Sequence, residues 1–139
     1  MKVKKAMHQG VVWVSPETSV AEVAKRMKDN DIGAVPVGEN DKLIGMVTDR
    51  DIVCRGVAKG KELAKLTARD VMTKGILYCR DGDDVEEAME RMQEKKIRRL
   101  PVIDENKRMV GMLSLGDVSH AASDKPTARV VKAVSAHHG

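Results

Sequence analysis

Two stretches of this chain carry the same arrangement of chemistry-bearing side chains: Gly45-Met-Val-Thr48-Asp-Arg-Asp51 and Gly111-Met-Leu-Ser114-Leu-Gly-Asp117. In each, a glycine stands three positions before a hydroxyl residue and an aspartate three positions after it. A hydroxyl at the first residue of a helix, backed by bare backbone N–H groups and the positive end of the helix dipole, suits a phosphate oxygen. A carboxylate one turn later can accept hydrogen bonds from two vicinal hydroxyls, the way acidic side chains hold a ribose. The glycine is a strand position without a side chain, which permits close backbone approach. The spacing is also that of a capping box, in which hydroxyl and acid satisfy the helix start and no ligand is needed. Spacing alone leaves both readings open.

The elements that must position these residues are written twice. Displacing the sequence by 65 positions sets Met7, Gly10, Val20, Glu22, Arg26, Met27, Ile32, Pro36 and Val37 on Met72, Gly75, Val85, Glu87, Arg91, Met92, Ile97, Pro101 and Val102. Asp104 then acts as one extra loop residue, and Glu39, Asn40, Gly45, Met46 and Asp51 fall on Glu105, Asn106, Gly111, Met112 and Asp117. The only aromatic residues, Trp13 and Tyr78, are partners too. Two copies of so long a period predict two similar halves related by a pseudo-two-fold axis and sharing a core, since about 65 residues bury too little surface to be comfortably stable alone.

Within the first copy, Val11–Val14 reads as a strand closed by Ser15-Pro16. Ser19 with Glu22 has capping-box form, and Val20, Val23, Ala24 and Met27 recur at helical spacing, which predicts a helix ending near Asn30. Residues 34–37 and 43–47 read as strands joined by a polar turn, with a second helix over 49–58. The second copy repeats this β-α-β-β-α order at 76–79, 84–94, 100–103, 109–113 and 115–122. The division is then repeat 1 over 1–58, a polar linker over 59–66, repeat 2 over 67–122 with a helical lead-in at 67–72, and a tail over 123–139. In the tail, Pro126 breaks the chain, and Val130, Val131 and Val134 form one stripe of a short helix that packs on its own core or on a partner. The fold class is α/β (α+β).

Composition excludes several functions. With hydrophobic content of 42%, charge of 33% and no apolar run near the roughly 18 residues of a membrane span, the chain reads as a globular cytoplasmic protein without a secretory signal. Its net charge of +4 comes from basic residues scattered among 21 acidic ones, a mixed-charge surface rather than a polyanion site. One Trp, one Tyr and no Phe leave no stacking platform for single-stranded nucleic acid. Cys54 and Cys79 lack zinc or disulfide-framework spacing and read as reduced thiols. His8 and His120 have no companion ligands and read as structural or surface residues. Met27 and Met92 read as core, and the terminal His137-His138 pair as a mobile end. No Ser-His-Asp or Cys-His set, P-loop or metal cluster is present, which argues against an enzyme.

With Ile32-Gly-Ala-Val-Pro-Val37 and Ile97-Arg-Arg-Leu-Pro-Val102 upstream, the doubled Gly-x-x-(Thr/Ser)-x-x-Asp motif resembles the CBS-domain family, and the tandem resembles a CBS pair, or Bateman module, across residues 3–122. The resemblance implies two clefts between the repeats for adenosine-containing ligands. The first would use Thr48 and Asp51 for ribose and phosphate, with Met46, Gly75, Leu77 and Ile97 around the base and Arg98 and Arg99 at phosphate-reaching positions. The second would use Ser114 and Asp117, with Met112, Gly10, Val12 and Ile32. Gly33 and Ala34 stand where the second cleft would have arginines, so the first is expected to prefer phosphorylated ligands. Arg50 reads either as a partial substitute or as an exposed helix arginine.

The function this implies is a non-catalytic regulatory module. It would bind AMP, ADP or ATP ahead of S-adenosylmethionine or NAD, with no obligatory cofactor and no metal, and would signal by conformational change to an effector protein in trans or through a homodimer. The alternative is a ligand-free structural or dimerisation module whose motifs serve only as helix caps. A nucleic-acid binder ranks third and would betray itself by strongly salt-dependent affinity.

Overall fold

In the computed structural model, which describes residues 1–75, 77–121 and 124–136, the elements run in the order α1 (Val3–Ala6), α2 (Val20–Asn30), β1 (Ala34–Glu39), β2 (Lys42–Thr48), α3 (Asp49–Asp51), α4 (Ala68–Val71), β3 (Cys79–Arg80), α5 (Val85–Lys95), β4 (Arg99–Ile103), β5 (Met109–Ser114), α6 (Leu115–Ala121) and α7 (Asp124–Ala136). It is a mixed helix and strand fold, as the sequence predicts. α3 continues as a π-helical turn over Ile52–Gly56 and a 3-10 turn over Val57–Lys59. The predicted helix is therefore present, but its ladder changes hydrogen-bond step twice.

The chain divides into two compact units, one made of Val12–Ile76 and the other of Met1–Val11 with Leu77–Gly139. Compact units and sequence repeats are different partitions of the chain. The helices that open the two repeats, α1 and α4, lie 65 residues apart, and each packs in the unit that holds the rest of the other repeat.

In the Val12–Ile76 unit, β1 and β2 form an antiparallel hairpin with an irregularity at Val37/Gly38. α2 covers it with Val20, Val23 and Met27, the face its periodicity predicts. Ser19 caps the helix by accepting the Glu22 N–H at 3.1 Å, and Asp31 ends it in the left-handed conformation. The core gathers these residues with Val14, Val35, Val37, Val47, Ile52, Leu66, Ala68, Val71 and Met72. Leu66 belongs to the stretch expected as linker; a 3-10 turn over Leu63–Lys65 turns it inward. Val11–Val14 is not a strand. Only Val14 pairs, in a single parallel bridge to Val37, and the turn Ser15–Thr18, where the Thr18 N–H reaches the Ser15 carbonyl at 3.1 Å, stops the pairing from continuing beyond it.

In the other unit β3 runs parallel to β4, and β4 antiparallel to β5, with the same irregularity one period on, at Val102/Ile103. Its core contains Val3, Cys79, Val85, Ala88, Met89, Met92, Leu100, Val102, Leu113, Val118, Val130 and Val134. The expected strand over 76–79 shrinks to Cys79–Arg80, and its start at Ile76 lies outside the described residues. So do Ala122, at the expected end of α6, and the His137-His138 pair. Pro126 does not break the chain. It is the third residue of α7, within the first turn, where its missing N–H has no intrahelical partner to lose. α7 buries Val130 and Val134 in its own unit's core, as the first of the two expected packings had it, and Val131 faces solvent.

Both cysteines are free thiols, with Cys54 exposed and Cys79 buried. Burial, reinforced by Asp83, pushes the Cys79 thiol from its ordinary 9.0 up to about 12. The folded chain thus holds a proton that the unfolded chain releases above pH 9, so the stability this thiol contributes is intact below pH 9 and falls as pH rises from 9 towards 12. At pH 8 iodoacetamide should alkylate Cys54 in the native protein and reach Cys79 only after denaturation. Equal native labelling of both would contradict the packing of this core.

Candidate functional site

Each motif sits where a hairpin's second strand ends and a helix begins. Thr48 closes β2, its backbone N–H donates to Asp51 Oδ2 at 2.9 Å, and its Oγ1 accepts the Asp51 N–H at 3.1 Å. Ser114 and Asp117 repeat the box at the end of β5, at 2.8 and 3.1 Å. The capping reading is thus realised in full at both motifs. A third box, Thr67 with Asp70, opens α4, and there the Thr67 backbone N–H holds the Asp70 carboxyl below its ordinary value. The box alone therefore marks no site. Asp51 and Asp117 differ from exposed Asp70 by being half-buried at the end of a sheet.

The bare N–H groups expected at the first motif are taken. Asp49 N–H donates to the Gly33 carbonyl at 3.0 Å, Arg50 N–H to Asp49 Oδ1 at 2.9 Å, and Asp51 N–H to Thr48 Oγ1. What this motif offers a ligand is the Thr48 hydroxyl proton and Asp51 Oδ1, which has no hydrogen-bond partner among the described residues. Those groups suit a diol better than they suit a phosphate: an open carboxylate oxygen accepts from hydroxyls and repels an anion.

The close approach that the motif glycines permit is made by the chain itself. A β-carbon on Gly45 would lie 2.7 Å from Met72 Sδ and 3.0 Å from the Thr73 carbonyl oxygen. One on Gly111 would run into Met7 Sδ and lie 2.7 Å from the His8 carbonyl oxygen. In both units a crossing segment, Met72–Thr73 or Met7–His8, pairs with the strand just before the hydroxyl residue. Met46 and Thr73 exchange both backbone hydrogen bonds, at 3.1 and 2.9 Å, and so do Met112 and His8, at 3.1 and 2.9 Å. The period already paired Met7 with Met72, but nothing in the spacing said that the glycines serve them.

The expected site residues distribute by unit. Thr48, Asp51, Met46 and Gly75 belong to the Val12–Ile76 unit, where Met46 is buried against the crossing segment and Gly75 follows it at φ +62°. Ser114, Asp117, Met112 and Gly10 belong to the other unit, with Gly10 at φ +71°. Both glycines have open space around the absent β-carbon, so the left-handed backbone is what calls for them. Val12 and Ile32 lie in the first unit, half-buried, and Leu77, Ile97, Arg98 and Arg99 in the second. There Arg99 is paired across the sheet with Ser114, the Arg98 carbonyl accepts the Leu115 N–H at 2.8 Å, and both arginine side chains are exposed. In their own unit, then, the arginines flank the Ser114 motif.

One contact was not foreseen. His8, read from the sequence as a structural or surface residue, places Nδ1 2.8 Å from Asp117 Oδ1, with Asp117 9% exposed and His8 79% exposed. The period sets His8 on Thr73, but the first motif has no such contact, so repeat symmetry could not reveal it. Arg55 is a second residue that the sequence does not single out. From the π-helical turn it donates to the carbonyls of Val71 and Met72, at 3.2 and 2.7 Å, which ties the end of α4 to the helix that carries Asp51. Among the described residues no group of three or more His, Cys, Asp or Glu could hold a metal ion, and no helix is long and apolar enough to cross a membrane.

The CBS domain family model matches residues 3–55 and 68–124. Hypoxic response protein 1 of Mycobacterium tuberculosis is 35% identical over 129 residues, covering 92% of this chain and 90% of the relative. An uncharacterized protein of Methanopyrus kandleri is 34% identical over 119 residues, 85% of this chain but 61% of that protein's length. A crystal structure of hypoxic response protein I with two coordinated zinc ions is similar at a TM-score of 0.80 and 34% identity, covering 88% of this chain and 100% of that one. The structure of CBSX2 in complex with AMP is similar at a TM-score of 0.75 and 28% identity, covering 86% of this chain and 94% of that one. With a motif-bearing hairpin and crossing segment in each unit and both repeats matched, the chain belongs to the CBS-domain family.

Proposed function

We propose that this CBS pair is a non-catalytic regulatory module whose ligand contains adenosine, with AMP, ADP or ATP ahead of S-adenosylmethionine or NAD, and whose primary ribose contact is Asp51. The observation that carries the reading is the state of that carboxylate. One oxygen is fixed by the capping box and the other is open, so the acceptor is already oriented before a ligand arrives, and little is lost to ordering on binding. The AMP complex of the 28% identical CBSX2 supports the ligand class. Thr48 would donate its hydroxyl proton towards the ligand's 5′ side, and Met46 would offer apolar surface to the base. Binding shifts the populations of the protein's conformations, which a second copy in a homodimer or another cytoplasmic protein would read.

The completed boxes give the alternative its own footing, because a helix cap with every donor satisfied is stable without a ligand. Thermal unfolding in the presence of AMP, ADP, ATP, S-adenosylmethionine and NAD separates the two. A ligand at 100 times its dissociation constant adds about 2.7 kcal/mol, a rise on the order of 8 °C for a chain of this size. A rise with an adenine nucleotide is the expected result. No rise with any of the five would favour a ligand-free interaction module.

A further inference from the structure

We propose that His8 makes the second motif the weaker of the two for ligand, by engaging there the carboxylate oxygen that is open in the first. This deepens the reading above and rests on it, since it concerns access to the same kind of ribose-binding carboxylate.

The two motifs match in the capping box and in the seating of the crossing segment. Both have a closed capping box, and both have a crossing segment locked by a pair of backbone hydrogen bonds to the strand residue two before the hydroxyl. The crossing residue is Thr73 in one and His8 in the other. The threonine side chain there makes no hydrogen bond to Asp51, whose bonds run to Thr48. The longer imidazole reaches over β5 and puts Nδ1 2.8 Å from Asp117 Oδ1, while Oδ2 is held by the Ser114 N–H at 2.8 Å. A carboxylate has no proton to give, so Nδ1–H is the donor. Both oxygens of Asp117 are thereby engaged, and its side chain is 9% exposed.

A vicinal diol that reaches Asp117 either shares Oδ1 with the imidazole N–H, which weakens both bonds, or displaces that N–H. The imidazole is free to swing away, because its side chain is 79% exposed and its position is set by the His8 backbone alone. His8 therefore lowers the affinity of the second motif without closing it. A pair this exposed is weak, and the expected penalty is about two- to fivefold in dissociation constant. Part of the asymmetry between the motifs would then come from one side chain that lies outside both.

The test exchanges the two crossing residues. AMP is titrated calorimetrically onto the wild type, Asp51→Asn, Asp51→Asn with His8→Thr, and Thr73→His. AMP binding by the wild type that Asp51→Asn weakens establishes the reading on which the inference rests. Against the Asp51→Asn background, His8→Thr is then expected to tighten AMP binding two- to fivefold, and Thr73→His, which reproduces the block at the first motif, to weaken wild-type binding by a similar factor. If the wild type binds AMP through Asp51 but His8→Thr leaves the remaining binding unchanged or weaker, the inference is overturned and the reading stands. If neither the wild type nor the His8→Thr protein binds AMP, both fall together.

Discussion

Gly111→Ala will lower folding stability by about 3 kcal/mol, the upper end for over-packing a close-fitting site, and Gly45→Ala by about 1 kcal/mol. The order follows from what each new methyl group would meet. At Gly45 the nearest atom is Met72 Sδ at 2.7 Å, the end of a flexible side chain that can turn aside, and the Thr73 carbonyl oxygen is 3.0 Å away. At Gly111 the His8 carbonyl oxygen itself would lie at 2.7 Å. That oxygen accepts the Met112 N–H at 3.1 Å and cannot withdraw without breaking the bond that seats the crossing segment. The usual gain of alanine over glycine in a strand, about 0.5–1 kcal/mol, offsets only part of this. Gly82 provides the control, because it has nothing within 4 Å of its absent β-carbon, and Gly82→Ala should be neutral or slightly stabilising. Urea unfolding of the three variants measures the series. Equal and small effects at Gly45, Gly111 and Gly82 would mean that the crossing segments do not sit where the structure has them.

The second large effect is on binding. Asp51→Asn should weaken adenine nucleotide binding by about 10- to 150-fold, the equivalent of losing one hydrogen bond to a charged group at about 1.5–3 kcal/mol. The amide keeps one acceptor oxygen for the Thr48 N–H, so the stability loss should stay near the low end for a helix cap, about 0.5 kcal/mol. Asp117→Asn should show the reverse balance. Its carboxylate already answers both the Ser114 N–H and His8, so the substitution removes an internal contact and costs more stability than Asp51→Asn while affecting ligand less. Calorimetric titration and urea unfolding of the two variants side by side give the crossed pattern. Equal losses of affinity in both variants would argue that the two motifs are interchangeable.

The parts of this fold that were legible in the sequence are those whose reason is local. α2 and α5 each bury a face repeating at helical spacing, and the structure gives both the same length of eleven residues, at positions one period apart. The hairpins followed from β-branched runs around polar turns, and the extra residue of the second turn, Asp104, makes its backbone N–H bond to the Arg108 carbonyl at 2.9 Å. What was missed depends on partners distant in sequence. Val11–Val14 has strand composition, but only Val14 finds a neighbour. α1 is four residues long, too short to show a period, yet its Val3 is fully buried in the core of a unit that resumes at Leu77.

At the site, the motif spacing announced both the cap and the diol acceptor, and the structure shows the cap complete. Whether the second carboxylate oxygen is open differs with the side chain that crosses the strand. That side chain is a threonine in one repeat and a histidine in the other, 65 residues apart and outside the motif.

The proposed seat of an adenosine ribose on Asp51 is tested by a crystal structure of the protein saturated with AMP. The ribose hydroxyls are expected within about 2.5–3.0 Å of the Asp51 carboxylate, with the Thr48 capping box intact. AMP bound away from Asp51, or a fully formed crystal with both motifs empty at saturating nucleotide, would contradict it and leave these boxes as helix caps.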